Sequence, residues 1–280
     1  MKWQNLRRSR NVVDHRGSGG ARTAIGRGSL GLGGMALVLV GSWVFGVNPL
    51  TVLSLLEGGS SQSYSSPQKS KPLNDEGGDF VQAILGDLED TWSQKLLPNR
   101  YQAPKLVLFQ NSTDSACGYA TAAVGPFYCP SSQQVYLDLA FFKDLRTTYQ
   151  AGGDFAEAYV IAHEVGHHVQ TLLGTSKQVR ARQQQVSKTA ANQLSVSLEL
   201  QADCYAGLWG HYAAQRGLLE QGDLQEALRT AAEIGDDRLQ KRSQGYVVPE
   251  SFTHGSAAER TRWFQKGFQS GQLEACNTFD

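Results

Sequence analysis

Apolar residues recur every three or four positions at Phe80, Ile84, Leu85, Leu88 and Trp92, with polar residues between them. This spacing predicts an amphipathic helix near the start of a folded domain that begins at about Gly78. The period then changes. Lys105–Phe109 is a strand candidate, and so is Gln134–Leu139, with Val135, Leu137 and Leu139 on one face. Ahead of the second run, Gly125-Pro126-Phe127-Tyr128-Cys129-Pro130 has the composition of a turn joining two short strands. The rest reads helical. Asp154 with Glu157, Asp223 with Glu226 and Ser256 with Glu259 have capping-box spacing, and Gly174 and Gly235 close the first two helices. A further helix covers about Leu194 to Gln215. The pattern predicts a mainly helical α+β domain with a small antiparallel sheet near its start.

A different pattern precedes the domain. Gly28 to Leu56 contains no charged residue, and its centre runs Met35-Ala36-Leu37-Val38-Leu39-Val40. About 20 apolar residues span a membrane, so the stretch is long enough for one transmembrane helix. A buried core helix and a cleaved signal peptide are the rival readings; the preceding basic segment is long for a signal peptide. The expected organisation is a basic tail at 1–27, an anchor at 28–56, a Ser/Gly/Gln/Pro-rich linker at 57–77 and a domain at 78–280.

Charge gives the anchor a direction. The chain is formally neutral, yet residues 1–27 carry seven basic side chains against Asp14 alone, which leaves the remainder net acidic. The positive-inside rule then puts residues 1–27 in the cytoplasm and the domain outside it, in a single-pass arrangement. The acidic domain argues against nucleic-acid binding. Cys117, Cys129, Cys204 and Cys276 all follow the anchor, as suits an oxidising compartment. The expected pairs are Cys117–Cys129, a short loop closure, and Cys204–Cys276; buried free thiols are the alternative.

The chemistry concentrates in His163-Glu164-Val165-Gly166-His167. Histidines at i and i+4 share one helix face, so both imidazoles can reach one zinc ion. Glu164 lies beside them and suits a general base acting on a water that zinc acidifies. His168 lies about a quarter-turn round the helix and reads as structural. A catalytic zinc needs a third protein ligand. Glu199 is the candidate, with Asp203 one turn later placed to orient a ligand histidine; His211 is a weaker one. His254, in a loop before a helix that carries Arg260, could stabilise an oxyanion, as could Arg260.

These residues bring a family into view. Gly125–Pro130, Val135–Leu139, Ala158–Gln170, Glu199–Cys204, Gly235-Asp236-Asp237, Phe252–Ser256 and Arg262-Trp263-Phe264 together resemble the bacterial neutral zinc metallopeptidases. The resemblance implies a zincin-like peptidase domain with one zinc per chain, anchored in the cytoplasmic membrane and facing outward. It implies His163, His167 and Glu199 as ligands, as in the gluzincins, with Asp203 orienting a histidine. The Thr253-His254-Gly255 to Arg260 element resembles the His-Pro…Arg element of membrane zinc proteases that process heat-shock and prenylated proteins, which implies a transition-state role for His254.

The leading expectation is a zinc peptidase acting on extracytoplasmic polypeptides, with Glu164 as general base. The alternatives are a catalytically quiet, zinc-stabilised binding scaffold and a hydrolase of a non-peptide amide. A structural zinc site has four protein ligands and needs no base, so Glu164 favours chemistry.

Overall fold

A computed structural model describes residues 1–16, Leu73 and 75–279. Its elements are β1 (Val12–Asp14), α1 (Glu76–Thr91), β2 (Lys105–Phe109), β3 (Ser112–Ser115), β4 (Gly118–Thr121), β5 (Phe127–Cys129) and β6 (Gln134–Asp138), followed by seven helices among the described residues. These are α2 (Ala140–Thr147), α3 (Asp154–Leu172), α4 (Thr175–Gln183), α5 (Lys188–Gln215), α6 (Asp223–Glu233), α7 (Asp236–Gln244) and α8 (Ala257–Ser270). The mainly helical α+β class is as expected.

The sheet is mixed, which corrects the expected antiparallel one. Its order is β1-β2-β6-β5, with β1 and β6 parallel to β2 and only β5 antiparallel to β6. Parallel neighbours need a crossover, and α1 supplies it between β1 and β2. The antiparallel β3–β4 hairpin is separate. The expected turn at 125–130 contains strand β5 itself.

Alternation along the strands sorts the sheet's faces. Leu106, Leu108, Val135 and Leu137 join the main core with Val81, Ile84, Leu85 and Leu88 of α1, Trp92 just after it, and Phe155, Tyr159 and Val165 of α3. Val107, Phe109 and Tyr136 point the other way and cluster with Cys129. The Cys117–Cys129 disulfide ties this second cluster to the β3–β4 hairpin, and Cys204–Cys276 ties the C-terminal segment to α5. Both expected pairings are present, and all four cysteines are bonded.

Residues 1–16, expected as a tail outside the domain, pack into it. β1 pairs with β2 in the register Val12↔Leu106. Trp3 is 6% exposed, sits edge-on to Phe80 and donates to Asp154. The basic side chains that read as a tail find acids on α1: Arg7 binds Glu89 and Asp90, and Arg8 binds Asp79. The expected anchor at 28–56 and the linker up to Pro72 lie outside the described residues. Among the described residues no helix is long and apolar enough to cross a membrane.

Candidate metal centre

Helix α3 runs through the core, with all its residues from Phe155 to Gly166 buried. The Asp154–Glu157 capping box does not form, because Gly153 takes the N-cap position and Asp154 is already in the first turn; Asp154 instead accepts from Trp3, and Glu157 pairs with Arg146. The apolar sequence still drives α3 inward and carries His163, Glu164 and His167 with it. Gly166 then decides how near α5 can come. A Cβ there would lie 3.1 Å from the carbonyl oxygen of Ala202 and 3.2 Å from its Cα. The close approach brings Glu199 and Asp203, one turn apart on α5, against the two histidines.

His163 Nε2 lies 3.1 Å from one Glu199 carboxylate oxygen, and His167 Nε2 lies 3.5 Å from the other. One ligand atom from each of the three residues falls within 4.8 Å of the others. Ligands about 2.0–2.1 Å from a tetrahedral zinc stand roughly 3.3–3.5 Å from one another. The three residues therefore fit a zinc ion in spacing and in donor chemistry.

Hydrogen bonds on the far side of each imidazole set its tautomer. His163 Nδ1–H donates to Asp203 at 2.8 Å, and His167 Nδ1–H donates to Gln170 Oε1 at 2.9 Å. Both Nε2 lone pairs are thereby left facing Glu199. The Gln170 amide is fixed in turn, because its nitrogen donates to Leu198 O and Gln201 Oε1. Asp203 is fully buried and accepts from Arg260 Nε and Nη2 at 2.8 and 3.0 Å. Burial pushes the Asp203 carboxyl upward, but Arg260 and His163 outweigh it and hold it down to about 2.

Glu164 has a different environment. It is 8% exposed and lines the cleft with His163 and His167, and among the described residues no donor engages its carboxylate. Burial raises its pKa above the ordinary glutamate value, although the two imidazoles oppose the rise. A buried, unengaged carboxylate facing open space is poised to take a proton. His168 is buried on the other side, where its ring meets Tyr128 Oη at 3.1 Å and donates to Gln102 O. It braces β5 against α3 and points away from the three-residue cluster.

The last two expected residues separate. Arg260 is buried, and its donors go to Asp203, Tyr159 and the carbonyl of Ile234. His254 is half-exposed at the cleft, with Nδ1 3.3 Å from Asp236. Asp236 also accepts the backbone N–H groups of Thr253, His254 and Gly255, so one buried carboxylate shapes the whole loop. Desolvation lowers the pKa of His254, but Glu199 and Asp236 overcome it and leave it raised. His211 is not at the site; it binds Phe268 O and Gln215.

Sequence reasoning gave no role to Gln170, Tyr159 or Asp236. The first two carry a readable signal. Gln170 is three residues after His167 and Tyr159 four before His163, so each shares its histidine's helix face. Asp236 lies in the Gly235-Asp236-Asp237 segment that carried the family resemblance, but its reach to a loop 18 residues away appears only in three dimensions.

The cleft over the cluster measures about 750 Å³. Edge strand β5 and the residues before it form one wall, α4 and α5 contribute a second, and Tyr149, Ile234 and Leu239 stand on a third.

Comparison with known proteins gives one family. Residues 1–279 match the family described as "Putative neutral zinc metallopeptidase". An Escherichia coli K12 relative, "Uncharacterized protein YpfJ", is 47% identical over 284 residues, covering 100% of this chain and 99% of its own. "Uncharacterized protein Rv2575" of Mycobacterium tuberculosis H37Rv is 45% identical over 214 residues, covering 71% of each chain. No solved structure matches the chain.

Proposed function

Since this chain belongs to the neutral zinc metallopeptidase family, we propose that it hydrolyses peptide bonds of polypeptides outside the cytoplasm. The observation that carries the reading is Glu164: a buried, unengaged carboxylate facing the cleft beside two imidazoles whose Nε2 atoms converge on Glu199. A site that only stabilised the fold would have no use for it.

His163, His167 and Glu199 hold one zinc. When bound, zinc supplies Lewis acidity that polarises a carbonyl and brings a water's pKa towards neutrality. Glu164 takes the proton from the attacking water and passes it to the leaving amine. His254, directed by Asp236, donates from Nε2 to the carbonyl oxygen as negative charge builds there. Arg260 acts through Asp203, which keeps His163 in its ligand tautomer. The substrate lies extended along β5, whose free edge offers backbone groups to a peptide. Val160, Tyr149, Ile234 and Leu239 line the cleft and favour a large apolar side chain near the scissile bond. The two disulfides support an oxidising compartment.

The test is Glu164→Gln, assayed on an unstructured casein-like protein. Zinc content and thermal stability stay at the wild-type level, while hydrolysis falls by about 10²–10⁴-fold. Loss of zinc together with activity would make Glu164 a ligand. Undiminished hydrolysis would end the general-base assignment.

A further inference from the structure

The packing of residues 1–16 bears on how this chain meets a membrane, independently of its chemistry. β1 forms a regular parallel ladder with β2, extended at one end by Leu106 N–H to Asn11 O and at the other by His15 N–H to Leu108 O. Upstream, Ser9 N–H donates to Gln82 O on α1, and the backbone of Arg7 runs so close to Gly86 that a Cβ there would lie 2.3 Å from the Arg7 carbonyl oxygen. Ser9 Oγ and Asn11 Nδ2 both donate to Glu89. Trp3 fills a core position against Phe80. Side chains, backbone and sheet register all join the segment to the domain.

The two ends of the intervening chain also meet. Arg16 pairs with Asp75 at 2.7 Å, and the Leu73 side chain packs beside Gly78, which the Arg16 guanidinium also approaches. Whatever path the chain takes between Arg16 and Leu73, it leaves and returns at one place.

A single membrane crossing between them would put β1 and β2 on opposite faces, which their pairing forbids. The charge asymmetry that points to a cytoplasmic tail is weakened as well, at three of its seven basic side chains. Arg7, Arg8 and Arg16 are matched by Glu89, Asp90, Asp79, Asp14 and Asp75 of the folded unit, so they are not free to prefer one side of a bilayer.

We propose that residues 1–16 and the domain from Leu73 onward occupy one compartment.

The experiment uses the full-length chain in the cytoplasmic membrane of a bacterial host. One short epitope is inserted between Gly19 and Gly20 and a second is added after Asp280. Each is probed with antibody in intact and in lysed spheroplasts. Both epitopes reached in intact spheroplasts, or both only after lysis, is the expected result. One reached before lysis and the other only after it overturns the proposal. A second measurement needs no insertion. In the purified full-length protein, Trp3→Ala should lower the melting temperature by roughly 10 °C, the effect of emptying a large core site in a domain of this size. An unchanged melting temperature would show that the segment is not packed in the domain and would equally overturn the proposal.

Discussion

Four hydrogen bonds end on the Asp203 carboxylate, from Tyr159, from His163 and twice from Arg260. Their sum has a pH signature. The carboxyl is held down to about 2 in the folded protein, against about 3.9 for a free aspartate. A depressed pKa contributes stability that is fully present above about pH 4 and is lost as pH falls from about 4 to 2. In metal-free protein, melting temperature should therefore fall through this window more steeply in the wild type than in Asp203→Asn. Equal slopes would mean that the carboxylate is not held as described. His254 makes a separate prediction, because it holds no ligand in place. His254→Ala should keep its zinc and most of its substrate affinity while kcat falls by about 10²–10³-fold. At this scale the sequence was legible where function follows local spacing: His163 and His167 at i and i+4, and Glu199 and Asp203 one turn apart. It was illegible where a partner comes from elsewhere. Nothing near Arg260 in the sequence shows that its fork is already engaged by Asp203.

Helices α5 and α8 cross with almost no side chain between them. A Cβ on Gly207 would lie 2.0 Å from the Phe264 carbonyl oxygen, and one on Gly267 would lie 2.0 Å from that of Cys204. Both clashes are with backbone, so the helices themselves would have to part. Gly267→Ala should destabilise the domain by about 1–3 kcal/mol in denaturant titration. Gly166→Ala is a milder intrusion on the other side of α5, at the α3 crossing. It should weaken zinc binding more than it weakens the fold, because it displaces Glu199 from the histidines; competition with a chelator measures this directly. The long apolar helices were visible in the sequence, and the Ser256–Glu259 capping box is present as read. The short polar helices were not. α4 buries only Val179, and α7 buries only Asp236 and Gln240, so neither shows an apolar period. The mixed sheet escaped for a related reason: β1 is three residues long and lies among arginines that read as a charged tail.

Across the whole molecule, the Cys204–Cys276 bond spans 72 residues and begins next to Asp203. A cross-link over such a loop stabilises by roughly 4 kcal/mol in the chain-entropy model. Paired replacement by serine should lower stability by up to that amount. Because Gln201, two residues from Glu199 on α5, donates to Cys276 O, zinc affinity should fall too. Limits of the domain were only partly legible. Composition marks its start near Gly78, but the segment that completes the sheet lies beyond the uncharged stretch. That arrangement gives synthesis and assembly different orders. Trp3 and its partner Asp154 are 151 residues apart, and β1 waits for β2 to emerge before it has anything to pair with. Closing so long a loop is slow. Until it closes, β2 is the bare margin of the sheet, open to the strand of another chain. Strand β1 cannot be placed until much of the protein has followed it, and the nascent chain is most exposed to misassembly during that wait.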